Sequence, residues 1–217
     1  MRHKTAGGIT TFVSTHTELI TAPLVPEIKL HLATDPRGIF QRASEFCDEG
    51  LGSRPYWAFA WPGGQGLARY ILDNPSLVAG KRILDLGAGS ALGAIAALKA
   101  GAASALAADI DPLSDAAAIL NGRANGVGLS STTDDLLGLD PSADLIIIGD
   151  LVYEPDLQIR VGAFIERAHR RGIPMLYADR TSARRPRQDF ELIHEYEAPL
   201  IPALVENFIE RSRVWRL

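Results

Sequence analysis

The chain has 217 residues, 47% of them hydrophobic, enough for one substantial core, and a single domain spanning 1–217 is expected. A formal charge of −4 supplies no basic field for a polyanionic backbone, so nucleic acid is excluded as a first reading, leaving small molecules or protein. The lone cysteine, Cys47, excludes an intrachain disulfide, and histidines scattered at 3, 16, 31, 169 and 194 lack zinc-ligand spacing, so no metal is expected. No apolar run reaches membrane-spanning length, and the N-terminus has no apolar signal core. Met1–Thr17 carries Arg2 and Lys4 ahead of its first acid, Glu18, but has too little arginine and too weak an amphipathic face for a transit peptide. A cytoplasmic monomer without a membrane partner is the expectation.

Residues 1–80 read as an N-terminal extension of an α/β core at 81–217. Glu27–Leu32 alternates apolar and polar at period two, which predicts a half-buried strand. Arg54–Gln65 is dense in aromatics and turn formers and holds Trp57 and Trp61. A helix is predicted over Gly66–Leu72, stopped by Asp73-Asn-Pro75. From Lys81 strand and helix alternate, with strands at 82–86, 104–108, 129–133, 144–149 and 173–178 and helices at 91–100, 113–125, 156–171 and 185–190. The segments 191–196 and 211–217 alternate as a terminal antiparallel pair. The predicted architecture is a Rossmann-like, seven-stranded, mostly parallel sheet of the class I methyltransferase type.

Asp85-Leu-Gly-Ala-Gly89 joins the first core strand to a helix, and glycines at 87 and 89 allow a sharp turn with close backbone approach to a ligand. A dinucleotide fingerprint needs its third glycine at 92, where this chain has Leu92, and Asp85 would repel a pyrophosphate. Such a turn suits S-adenosylmethionine, which brings an amino group and no phosphate. A second acid, Asp109, ends the next strand, where it can accept both ribose hydroxyls. Asp85, Asp109, Asp134 and Asp150 all fall at or just past the carboxyl ends of predicted strands, the edge at which open α/β sheets bind ligands. A bare helix-start turn without a ligand is the alternative at Asp85–Gly89.

Pro55-Tyr-Trp-Ala-Phe-Ala-Trp-Pro-Gly-Gly-Gln65, Leu72-Asp-Asn-Pro75, Asp109-Ile-Asp-Pro112 and Gly149-Asp-Leu-Val-Tyr153 resemble the electron-transfer flavoprotein β-subunit lysine methyltransferases over roughly residues 25 to 217. The resemblance implies methyl transfer from S-adenosylmethionine to a protein lysine, with the flavoprotein β subunit as partner and a ribosomal stalk protein as a second acceptor. The chain departs from the family at Ala178-Asp-Arg-Thr-Ser-Ala183, where an Asp-Pro-Gly-Arg turn is expected.

The resemblance implies that Asp150 orients the acceptor amine and stabilises positive charge developing on it, while Tyr153 walls the lysine channel. The plain alternative has Asp150 capping the following helix and Tyr153 in the core. Trp61, beside Pro62-Gly-Gly64, is expected as a lid over the methionine part of the cofactor, against ordinary core burial for either tryptophan. Gln65 is expected to donate to the cofactor carboxylate, and Asp134, in preference to Asp135, to accept from the adenine amine. Asp111 reads as a helix cap before Pro112. The basic stretch Arg180–Arg187 is either a solvated face or a dock for an acidic partner. A small-molecule methyltransferase and a non-catalytic scaffold remain as alternatives.

Overall fold

The computed structural model describes residues 6–47, 54–180, 187, 189–199 and 209–217. Apolar five-residue runs form the centre: β3 (Arg82–Leu86), β4 (Ser104–Ala108), β6 (Leu145–Gly149) and β7 (Met175–Asp179). The short β5 (Ser130–Thr132) lies at one edge, and β8 (Glu191–Pro199) and β9 (Ile209–Arg216) at the other. The order is β5-β4-β3-β6-β7-β9-β8, parallel as far as β7, with β9 antiparallel to both β7 and β8. The winding therefore reverses between β3 and β6, which opens a crevice beyond their carboxyl ends.

Alternate strand residues are buried on opposite faces. Ile83, Ala105, Ala107, Leu145, Ile147, Leu176 and Ala178 share one core with α3 (Pro62–Asp73), α4 (Leu92–Lys99) and α5 (Pro112–Ala124). Leu84, Leu86, Ile146, Ile148 and Tyr177 point the other way, onto Val161, Phe164 and Ile165 of α6 (Pro155–Arg170). Burial on both faces explains why β6 reads as an unbroken apolar run.

The first residues form α1 (Ala6–His16), a hairpin of β1 (Glu18–Ala22) and β2 (Val25–Leu32), and α2 (Pro36–Cys47). Val25, Ile28, Leu30 and Leu32 bury the alternating face anticipated for the strand at 27–32. Neither α1 nor α2 was predicted. The glycine pair and β-branched residues of α1 disfavour a helix. Buried Phe12 and Val13 and packing against α5 override that preference.

Two further predictions are corrected. The helix expected from Gly66 starts at Pro62, because proline suits the first helical position and the following glycines occupy its first turn. Of the helix predicted at 185–190, positions 185, 186 and 188 lie outside the described residues, while Arg187, Asp189 and Phe190 are non-helical. Arg187 instead pairs with Asp189 at 2.9 Å and with Glu166.

Candidate active site

Beyond β3 the backbone turns through Gly87 (φ 70°) and Gly89 (φ 51°), left-handed conformations in which a side chain is strained. A Cβ at Gly87 would stand 2.4 Å from Leu151. The turn is pinned from β4: the amides of Gly87 and Ala88 donate to the Ala108 carbonyl, and that of Gly89 donates to Asp109 Oδ2 at 2.9 Å. Asp109 Oδ1 accepts from the Asp111 amide at 3.0 Å, and Asp111 caps α5 through the Leu113 amide at 2.8 Å, as expected of a cap. Asp85, buried beneath the turn, accepts from the Ala94 amide in the first turn of α4 at 2.8 Å.

These acids and residues from the aromatic segment and the β6–α6 loop line one cavity of about 700 Å³. Asp85, Gly87, Gly89, Asp109 and Asp134 line it together with Trp61, Gly64, Asp150 and Tyr153. Burial pushes Asp85 and Asp111 up to about 7 and raises Asp109 as well, because low-polarity surroundings penalise the charged form. Carboxylates so placed are matched to an ammonium and to hydroxyls, and would repel a phosphate. The donor set therefore fits S-adenosylmethionine.

Asp150 has φ 50°, unusual for a residue with a Cβ and a local strain at the end of a buried strand. Its amide donates to the Ala178 carbonyl and its Oδ2 accepts from the Gly64 amide at 2.9 Å. Oδ1 is buried and has no hydrogen-bond partner among the described residues. Burial, then the nearby charge of Asp179, pushes this carboxyl up to about 7, against the Gly64 amide and Arg180. Asp150 thus spans to the start of α3 and does not cap α6, whose first turn begins after Glu154.

Tyr153 is 47% exposed, not a core residue, and meets Tyr56 edge to face at 5.1 Å between centroids. Burial, then the nearby Glu154 carboxylate, raises the pKa of its phenol. Arg54 pairs with Glu154 at 2.7 Å, so the aromatic segment and the β6–α6 loop are clasped across the cavity mouth. Trp61 is half-buried, with its indole N–H donating to the Tyr56 carbonyl at 2.9 Å, whereas Trp57 is wholly in the core. Asp134 and Asp135 both line the cavity from exposed positions, and Asp135 is engaged by the Leu137 amide at 3.1 Å and by Arg160.

Gln65 is the correction. Its side chain is wholly buried outside the cavity, with Nε2 donating to the carbonyls of Ala60 at 2.7 Å and Pro199 at 3.3 Å. Its Oε1 accepts from the Leu24 amide at 3.3 Å. Both amide hydrogens are thereby committed to backbone, and none is directed at a cofactor carboxylate.

Sequence reasoning missed Asp179 and took Arg180 only as part of the basic stretch; both line the cavity at the end of β7. Arg180 stands 5.7 Å from the Trp61 ring centroid and 3.7 Å from Glu210. The strand-end rule that found Asp150, one residue past the strand predicted at 144–149, applies equally to Asp179, one residue past the strand predicted at 173–178, and was not carried to that strand. Residues 181–186 of the basic stretch lie outside the described residues.

Three comparisons bear on this site. The ribosomal protein L11 methyltransferase (PrmA) family model matches residues 70–151, from within α3 through the glycine turn to the residue after Asp150. The electron transfer flavoprotein beta subunit lysine methyltransferase of Mus musculus is 37% identical over 212 residues, covering 94% of this chain and 82% of the relative. That of Xenopus laevis is 39% identical over 171 residues, covering 77% and 68%, and that of Homo sapiens 43% over 152 residues, covering 69% and 57%. Among solved structures, ribosomal protein L11 methylase from Lactobacillus delbrueckii subsp. bulgaricus superposes with a TM-score of 0.52 at 22% identity, covering 70% of this chain and 77% of that one. Magnesium protoporphyrin IX methyltransferase from Synechocystis with bound S-adenosylmethionine gives 0.52 at 14% identity, again over 70% and 77%. The last two likenesses carry the fold.

Proposed function

The chain belongs to the electron transfer flavoprotein beta subunit lysine methyltransferase family, and from that premise we propose that its acceptor is a lysine of the electron transfer flavoprotein β subunit. The enzyme is an S-adenosylmethionine-dependent protein-lysine methyltransferase. The single observation that carries the site assignment is Asp150: a strained carboxylate on the cavity lining with one oxygen tied to Gly64 and the other buried and without a hydrogen-bond partner among the described residues.

Bound S-adenosylmethionine supplies an electrophilic methyl group on a sulfonium and leaves as S-adenosylhomocysteine. Asp109 would hold the ribose hydroxyls, Asp134 the adenine amine and Asp85 the methionine amine, with the glycine turn permitting close backbone approach, and Trp61 would cover the methionine part. A lysine amine has an ordinary pKa of about 10.4 and must shed its proton before it can attack. Tyr56, Tyr153 and Trp61 surround it with apolar ring surface, which disfavours the ammonium form. Asp150 Oδ1 accepts one N–H of the amine, aims its lone pair, and offsets the positive charge that grows on nitrogen. Because Oδ2 is held by the Gly64 amide, Oδ1 is fixed before the acceptor arrives.

Purified enzyme should be incubated with radiolabelled cofactor and a lysate of its source cells, and labelled proteins identified by mass spectrometry. Label on a lysine of the flavoprotein β subunit is expected. Label confined to ribosomal protein L11 would overturn the acceptor, label confined to metabolites would overturn protein methylation, and none at all would favour a scaffold.

A further inference from the structure

We infer that Asn121, on α5 and outside the cavity, is a positioning residue that locks the cofactor-binding glycine turn to the N-terminal hairpin. Asparagine is a poor residue for a helix interior, and a wholly buried amide is costly unless both its ends are bonded. Asn121 is wholly buried. Its Oδ1 accepts from the His31 amide of β2 at 2.6 Å, and its Nδ2 donates to the Ser90 carbonyl at 2.9 Å. Rotating the amide end for end would set oxygen against carbonyl and nitrogen against amide, so this orientation is fixed by its partners.

One helical turn on, Asn125 makes an instructive contrast. Its Oδ1 accepts from the Lys29 amide at 3.0 Å and its Nδ2 donates to the Lys29 carbonyl at 2.6 Å. Residues 29 and 31 lie two apart on β2, so their amides leave the strand on the same side, and the two asparagines together complete that edge as a neighbouring strand would. Asn125 serves the hairpin without touching the turn. Asn121 alone of the two reaches Ser90, which sits between Gly89, held by Asp109, and Ala91, whose φ of 59° opens α4. Ser90 is itself buried. Its carbonyl orientation sets the turn on which the cofactor rests, and Asn121 ties that orientation to the docked hairpin.

The inference rests on the reading that this turn carries the cofactor. Binding of S-adenosylhomocysteine is measured by calorimetry. Asn121→Ala should weaken it about tenfold, the size of a lost buried hydrogen bond, and raise KM for S-adenosylmethionine while kcat at saturation holds. Asn125→Ala should stay within about twofold, because surface-facing amide clasps contribute little away from the site. Unaltered affinity in Asn121→Ala, or equal weakening in both variants, would overturn the assignment. If Asn121→Ala does not fold, hydrogen exchange on the unaltered protein decides: saturation with S-adenosylhomocysteine should slow the His31 amide more than the Lys29 amide, and equal or absent slowing would overturn it. Failure of the unaltered protein to bind S-adenosylhomocysteine at all would sink the cofactor site itself, and this inference with it.

Discussion

The Gly64 amide donates to Asp150 Oδ2 at 2.9 Å, joining residues 86 apart in sequence. The aromatic segment that opens α3 and the end of β6 thus meet at one carboxylate, which has the first turn of a helix as its anchor. Amides at a helix start favour an anion, so this contact partly counters the burial that raises the Asp150 pKa.

Gly63 guards that contact. A Cβ there would stand 2.6 Å from Asp150 Oδ2 and 2.8 Å from Oδ1, so Gly63→Ala must push the carboxylate aside. A misplacement on the scale of an ångström costs on the order of 100-fold in rate. Steady-state kinetics should show that loss in kcat, with S-adenosylhomocysteine affinity retained; unchanged kcat would separate Asp150 from the chemistry.

Activity should rise as the pH passes about 7, where Asp150 ionises. A plot of kcat/KM against pH for the free enzyme should show that limb beneath the steeper demand for a neutral lysine, and Asp150→Asn should lose it along with most of the rate. Stability should run the other way. Asp85, Asp111 and Asp150 are raised to about 7 from the ordinary aspartate value of about 3.9, so the native state holds protons that the unfolded chain releases between those values. Their contribution is fully present at low pH and is lost as pH rises through 7. Asp144, held down to about 2 by Arg82, acts only in the acid range. The melting temperature of the unliganded enzyme should therefore fall from pH 5 to 8, and Asp85→Asn should flatten the slope; a rise over that window would contradict the buried-acid account.

Gln65→Leu separates a structural from a ligand role. Removing the amide strands the Ala60 carbonyl and the Leu24 amide, at a cost of about 1–3 kcal/mol in stability. Denaturant unfolding should register the loss while calorimetry finds S-adenosylhomocysteine affinity unchanged. Loss of affinity at unaltered stability would restore the carboxylate role.

Much of the fold was legible because its cause is local. The apolar runs at 82–86, 104–108 and 145–148 are strands wherever they are buried on both faces, and each ends in or near the acid that the crevice needs. The site's acids were legible for the same reason. Gln65 was misread because residue type and proximity to glycines say nothing of burial, and its partners Leu24 and Pro199 are distant in sequence. Helix α1 went unseen because Gly7, Gly8 and its threonines oppose helix locally, while what holds it is contact with α5. Asn121 was invisible as well: its two bonds run to residues 90 and 31 positions away.

Tyr153 should act on the protein acceptor alone. Tyr153→Ala removes the ring that meets Tyr56 at the cavity mouth and should raise KM for the protein substrate about tenfold, the worth of one aromatic contact to an amine-bearing chain. Tyr153→Phe keeps the ring and should stay near the parent enzyme. Equal impairment of both variants would point to the hydroxyl.

The most direct measurement is methyl transfer to purified electron transfer flavoprotein from the same source, with S-adenosylmethionine and mass spectrometric mapping, comparing the unaltered enzyme with Asp150→Ala. Methyl groups on a lysine of the β subunit, formed by the unaltered enzyme and lost with Asp150→Ala while S-adenosylhomocysteine still binds, are predicted. An unmodified β subunit, or full modification by Asp150→Ala, would contradict the account.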